Sequence, residues 1–197
     1  VKSGNPPAGL DRLSDEELVA KCRKRDGNAW SVLVERYKGL VYSIPIRFRM
    51  PAEDAADVFQ SVWLDLYSEL DRLREPAALR GWLLSATSHK CLHWKQRETR
   101  WAGQALGKEV NLDVVDARPL IDEIGIEAEK DQLVRDALRS IPERCGKMLK
   151  MLFFEQPPRP YLEVAKELGL AEGSIGFIRG RCLEKLKKAL EQRGFLP

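Results

Sequence analysis

The tract from Tyr161 to Leu186, YLEVAKELGLAEGSIGFIRGRCLEKL, constrains the fold more than any other part of the chain. Val164, Ala165 and Leu168 recur at helical spacing, and after Gly169 the same period returns in Ile175, Ile178, Cys182 and Leu186. Gly169 is the residue type that ends a helix in the left-handed region. Ala165 is small where two such helices cross. The second helix carries Arg179, Arg181, Lys185, Lys187 and Lys188 outside its apolar face. This is the pattern of a helix-turn-helix whose basic second helix enters a major groove. The alternative is an ordinary helical hairpin with a solvated basic face.

A length of 197 residues allows one large domain or two small ones. Net charge is only +3, so the chain is no polycation, and nucleic-acid binding has to come from local clusters. No apolar run approaches the ~20 residues that span a bilayer, and VKSGNPPAGLDRLSDEEL contains no apolar signal core. The expectation is therefore a cytoplasmic protein without membrane insertion. Cysteines 22, 91, 145 and 182 lie far apart with no CxxC pair, which argues against a zinc knuckle and, in that compartment, against a disulfide framework. Cys182 is expected to act as a small buried hydrophobe. His89 and His93 share a helix face but Cys91 points elsewhere, so neither a metal nor another cofactor is expected. Without a glycine-rich phosphate loop or a nucleophile–base pair, the chain does not read as an enzyme.

The class is all-α, since helical periodicity recurs throughout and strand alternation does not. After a leader (1–12), Ser14 and Glu17 form a capping-box pattern ahead of Leu18, Val19 and Cys22. A second helix is expected from about Asn28, bending or breaking at Pro45. A third opens at Pro51 with Val58, Phe59, Val62, Trp63, Leu66 and Leu70 as its stripe, and a fourth runs from about Ala77 to Arg100. These make a first helical domain over 13–100. Residues 101–125 mix glycine, proline and isolated acids without a period and read as a linker. The second domain, 126–197, holds four helices: one with Leu133, Val134, Ala137, Leu138 and Ile141, one after Pro142, and the helix-turn-helix.

Four segments, in order, resemble a known family. AWSVLVERYKGLVYSI is similar to its first core-domain helices, and EDAADVFQSVWLDLYSEL to its D-A-x-D-x-x-Q helix. LRGWLLSATSHKCLHWKQR is similar to its W-L-x-x-I-A-x-N helix, and LRSIPERCGKMLKMLFFEQPPRPYLEVAKELGL to its leucine-proline-glutamate entry and E-I-A-x-x-L-G turn. The family is that of bacterial RNA polymerase sigma factors, of the short extracytoplasmic-function type. The resemblance implies a non-catalytic protein that joins core RNA polymerase (β and β′ subunits) and directs it to promoter DNA. It also implies an anti-sigma factor as a further partner. The rival reading is a helix-turn-helix repressor or activator that never enters polymerase.

The resemblance assigns roles residue by residue. Asp54, Asp57, Gln60, Ser61 and Asp65 are the expected polymerase contacts. Arg72, Arg74, His89, Lys90, His93, Trp94 and Arg97 are expected at the minus-ten element, where charge interleaved with aromatic rings suits a melted strand. Ser174, Phe177, Arg179, Arg181 and Lys185 are expected at the minus-35 duplex. The chain departs from the family pattern at His89, His93, Ala171, Ile178 and Arg179.

Overall fold

The computed structural model describes residues 9–73, 75, 78–105 and 118–195. Among these, eight α-helices and three 3-10 turns form, and no strand. The chain divides into two compact units, Val1–Glu129 and Lys130–Pro197.

In the first unit, α1 (Asp15–Arg23) begins at a capping box. The Glu17 backbone N–H donates to Ser14 Oγ at 3.2 Å, and the Ser14 N–H donates to Glu17 Oε2 at 2.7 Å. Two of the helix's orphan donors are thereby satisfied. The α2 helix (Gly27–Arg47) starts at Asp26, whose carboxylate accepts from the Asn28 and Ala29 amides. Pro45 does not break it. The helix runs two residues further, and beyond it the Phe48 N–H still reaches the Ile44 carbonyl at 3.1 Å. A proline this close to a helix end removes one amide bond and leaves few turns to disturb.

Helix α3 (Ala52–Glu69) packs on α2 through a chain of edge-to-face rings. Tyr42 meets Phe59 at 6.1 Å, Phe59 meets Trp63 at 5.9 Å, Trp63 meets Trp30 at 6.1 Å, and Trp30 meets Tyr67 at 5.4 Å. Such pairs add roughly 0.5–1.5 kcal/mol each beyond the area they bury. Arg36 fastens the leading segment to this core, donating to Asp15 at 2.7 Å and to the carbonyls of Asp11 and Leu13. After a 3-10 turn at Leu70–Arg72 comes α4 (Leu79–Ala105), which buries Leu79, Leu83 and Cys91.

The stretch read as a linker is helical at both ends: α4 continues to Ala105, and α5 (Arg118–Ser140) starts well before Ile126. Residues 106–117 lie outside the described residues, as do 1–8 of the leader. Ile124 and Ala128, one helical turn apart, are buried in the first core, and a Cβ at Gly125 would lie in ordinary contact with Leu84. Glycine and scattered acids hid that short apolar repeat from a periodicity reading.

In the second unit the end of α5 contributes Ala137 and Leu138 to a core shared with α6 (Glu143–Phe153), α7 (Tyr161–Leu168) and α8 (Ile175–Glu191). Gly146 lets α6 approach closely, since a Cβ there would meet the Leu138 carbonyl oxygen at 2.9 Å. Gly169, at φ 60°, closes α7 in the left-handed region. The Leu170 N–H then bonds back to the Ala165 carbonyl at 2.8 Å.

The cysteine expectation is corrected here. Cys145 and Cys182 form a disulfide, with Cα atoms 5.2 Å apart, joining the first turn of α6 to the middle of α8. Packing of α6 on α8 brings both side chains to one spot, a proximity that a separation of 37 residues does not announce. Constraining a loop of that size stabilises a fold by roughly 3–4 kcal/mol in the chain-entropy picture. Cys22 and Cys91 are free and buried.

Candidate nucleic-acid interface

The α3 helix is amphipathic over its full length: Ala55, Val58, Val62 and Leu66 point inward. Asp57 and Gln60 are exposed, while Asp54, Ser61 and Asp65 are half-buried at the rim. Leu64 lies 70 % exposed one turn beyond Gln60 and Ser61, so this polar face carries an apolar centre that sequence reasoning missed. Its signal was available: an apolar residue out of phase with the stripe at 58, 62 and 66.

Helix α4 presents a second row. His89, His93 and Arg97 are exposed and recur every fourth residue, which sets them along one face. Lys90 and Trp94 lie on the adjoining, half-buried face. Lys90 Nζ sits 2.7 Å from Asp65 Oδ2, an α4–α3 ion pair that joins a residue expected at DNA to one expected at polymerase. Trp94 packs against the first core, and its indole N–H is buried without a partner. Trp101, further along, is 69 % exposed. Arg72 is exposed in the 3-10 turn before α4, and Arg74 lies outside the described residues. Arg23 donates to the Leu70 carbonyl at 3.2 Å and also to the Leu73 carbonyl, so α1 braces the chain entering this region. Among the described residues, no three His, Cys, Asp or Glu side chains gather as a metal site.

In the second unit, α8 buries Ile175 and Cys182 and keeps Ile178 and Leu186 partly covered. The opposite face carries Phe177, Arg181 and Lys185, all exposed and four residues apart. The Arg181 guanidinium lies 4.8 Å from the centre of the Phe177 ring, a cation–π contact that holds it along the helix surface. Arg179 is different. It is half-buried on the flank toward α7, where it donates to the Tyr161 hydroxyl and lies over that ring at 5.8 Å. Tyr161 thus belongs with the site, and no spacing in the sequence marked it. Ser174 spends its hydroxyl on the Ala171 carbonyl at 2.6 Å, within the turn Glu172–Ser174.

The turn itself is braced from α6. Arg144 donates to the Leu168 carbonyl at 2.6 Å and the Gly169 carbonyl at 3.4 Å. These are carbonyls that a helix C-terminus leaves unpaired. Arg159 bridges Glu155 and Glu167, fixing the proline tract to α7. The arrangement offers an exposed basic–aromatic row on a rigidly seated helix, a form suited to reading a duplex groove.

Known proteins resemble the chain, one family over part of its length and several relatives over more of it. Residues 33–101, which span most of α2 through most of α4, match the family Sigma-70 region 2. The chain is 25 % identical over 189 residues to the ECF RNA polymerase sigma-E factor of Escherichia coli (strain K12), covering 93 % of this chain and 95 % of the relative. The protein of the same name from Salmonella typhi is similar to the same degree. The RNA polymerase sigma-H factor of Pseudomonas aeruginosa is 30 % identical over 74 residues, 38 % of either chain. No helix among the described residues is long and apolar enough to cross a membrane.

Proposed function

The chain belongs to the sigma-70 family as a sigma factor of extracytoplasmic-function type, and from that premise we propose that it binds core RNA polymerase, recognises minus-35 and minus-ten elements and promotes promoter melting. The observation that carries this reading is the pair of exposed rows inside the matched segment. Asp57, Gln60 and Leu64 face outward from α3, and His89, His93 and Arg97 face outward from α4.

Core polymerase is held by the α3 face, with Leu64 as the desolvated centre and Asp54, Asp57, Gln60 and Ser61 supplying polar contacts around it. An apolar centre ringed by polar groups is how protein interfaces are commonly built. The α4 row, with Arg72, Trp94 and the exposed Trp101, receives the minus-ten strand as it opens. Unpairing and unstacking a base costs a few kcal/mol. Each base stacked on an aromatic ring returns about 1–3 kcal/mol.

The α8 helix enters the minus-35 major groove. Arg181, steadied on Phe177, and Arg179, steadied on Tyr161, are the base readers. A good arginine–guanine contact discriminates by roughly 1–3 kcal/mol. Lys185 meets phosphate, which gives affinity and register but no sequence.

The test is co-migration of the purified chain with core RNA polymerase, repeated with Leu64→Glu. The proposal expects a stable complex with the wild type and at least a tenfold loss with the variant, the scale of one central interface residue. Absence of a wild-type complex, alongside specific duplex binding by the free chain, leaves a DNA-binding regulator that acts outside the polymerase.

A further inference from the structure

We propose that Cys145 and Cys182 are a redox-modified pair whose bond controls minus-35 recognition, through exchange with a small thiol–disulfide couple of the glutathione class. The inference rests on the reading of α8 as the minus-35 helix.

The four cysteines divide sharply by environment. Cys22 and Cys91 are buried in the first core without a sulfur partner. Burial, with the charge of Asp26 as a smaller contribution, pushes the Cys22 thiol up to about 11, and burial pushes Cys91 up to about 12. Both stay protonated and poorly nucleophilic at neutral pH. Cys145 and Cys182 are already joined. Cys145 lies in the first turn of α6, where its amide and that of Gly146 donate to the Pro142 carbonyl. Cys145 is 9 % exposed at the edge of the core, whereas Cys182 is 1 % exposed. Entry at Cys145 and resolution by Cys182 follow from that order.

The exchange balances in two steps. The Cys145 thiolate attacks the disulfide of oxidised glutathione, forming a mixed disulfide and releasing one glutathione, which takes up a proton. Cys182 gives up its proton and attacks the Cys145 sulfur, releasing the second glutathione. Two protein thiols become one disulfide, and one oxidised glutathione becomes two reduced ones.

Place in the fold gives the bond its consequence. Cys182 directly follows Arg181 on α8, and Cys145 directly follows Arg144, which braces the turn between α7 and α8. The bond therefore ties the reading helix to the element that supports its turn. The second unit, Lys130–Pro197, is of a size at which a core alone gives limited stability. Reduction lowers the fraction of molecules with α8 seated, and apparent affinity falls with that fraction.

The experiment equilibrates the full chain across a series of reduced-to-oxidised glutathione ratios. Thiols are mapped by maleimide labelling after acid quench, and the chain is then assembled with core RNA polymerase on promoter duplexes with intact or scrambled minus-35 elements. The expected result is that Cys145 and Cys182 titrate together in one two-electron step while Cys22 and Cys91 remain thiols throughout. Over the same step the preference for the intact minus-35 element falls about tenfold, and the unfolding midpoint of the second unit drops by about 12–30 degrees. The double variant Cys145→Ala, Cys182→Ala is expected to ignore the ratio; if it fails to fold, the wild-type titration decides alone. Free thiols at 145 and 182 at every ratio overturn the inference, as does a joint titration that leaves minus-35 preference unchanged. An oxidised wild type that never distinguishes the two duplexes defeats the minus-35 reading itself, and the thiol map and midpoint then report the pair's chemistry separately.

Discussion

Arg179 on α8 donates a hydrogen bond to the hydroxyl of Tyr161 on α7, and its guanidinium lies over the same ring. The contact fixes a long cationic side chain before any ligand arrives, and it buries the Arg179 Nε, which has no partner of its own. Pre-ordering of this kind removes rotamer entropy from the cost of binding. Tyr161→Phe keeps the ring and deletes the hydroxyl. It is expected to weaken discrimination at the base that Arg179 is proposed to read by about 1 kcal/mol, the value of one such hydrogen bond, with little change in unfolding midpoint. Binding of the polymerase complex to minus-35 duplexes substituted one base at a time checks it, and an unchanged base profile counts against the positioning role.

The Lys90–Asp65 pair gives a prediction in the opposite direction. Both side chains are partly exposed, at 29 % and 45 %, so the pair adds little to stability. Asp65→Asn releases the Lys90 charge from this pair, and in the proposed function that charge meets DNA. The expected outcome is an unfolding midpoint close to wild type and a salt dependence of single-strand binding steeper by somewhat under one unit in the log–log slope. An unchanged slope means that Lys90 does not meet phosphate.

Arg144 caps the end of α7 from outside the helix-turn-helix. Arg144→Ala leaves the Leu168 and Gly169 carbonyls to water and is expected to cost the second unit about 1 kcal/mol. Gly169→Ala, forced to hold φ near 60°, is expected to cost roughly 1–2 kcal/mol. Thermal unfolding followed by circular dichroism reads both, and the first unit's transition is expected to stay where it is.

Cys22 and Cys91 make the first unit sensitive to alkali. Their native values are raised to about 11 and about 12 from an ordinary value of 9.0. The native state thus retains thiol protons that the unfolded chain releases. Their contribution to stability is full below pH 9 and declines as pH rises, toward 11 for Cys22 and toward 12 for Cys91, by up to ~1.4 kcal/mol per pH unit for each thiol. Denaturant unfolding at pH 8, 9 and 10 checks the slope, and Cys91→Ala is expected to flatten it.

The sequence stated its local signals clearly. Ser14 and Glu17 specify a capping box within four residues, Gly169 specifies a left-handed cap, and the stripes of α3 and α8 follow one period; these features depend on neighbours in the chain. Pro45 misleads because its effect depends on how near the helix end lies, which was set by the turn around Arg49 at φ 55°. The helical ends of the 101–125 stretch escaped because Ile124 and Ala128 are too few to show a period and gain their burial from a distant core. The Cys145–Cys182 bond, the Tyr161–Arg179 contact and the Lys90–Asp65 pair are all products of helix packing, and residue spacing carries no trace of them. Exposure of the expected contact residues was legible wherever an apolar stripe fixed the helix phase, as at Asp57, Gln60, His93 and Arg181.

Promoter-directed run-off transcription by core RNA polymerase, with and without the full chain, tests the central claim most directly. The account predicts transcripts from discrete start sites that require the chain, share sequence elements at minus-ten and minus-35, and are lost with Arg181→Ala and with Leu64→Glu. Polymerase that initiates no differently when the chain is added, on a fragment library broad enough to contain its promoters, contradicts it.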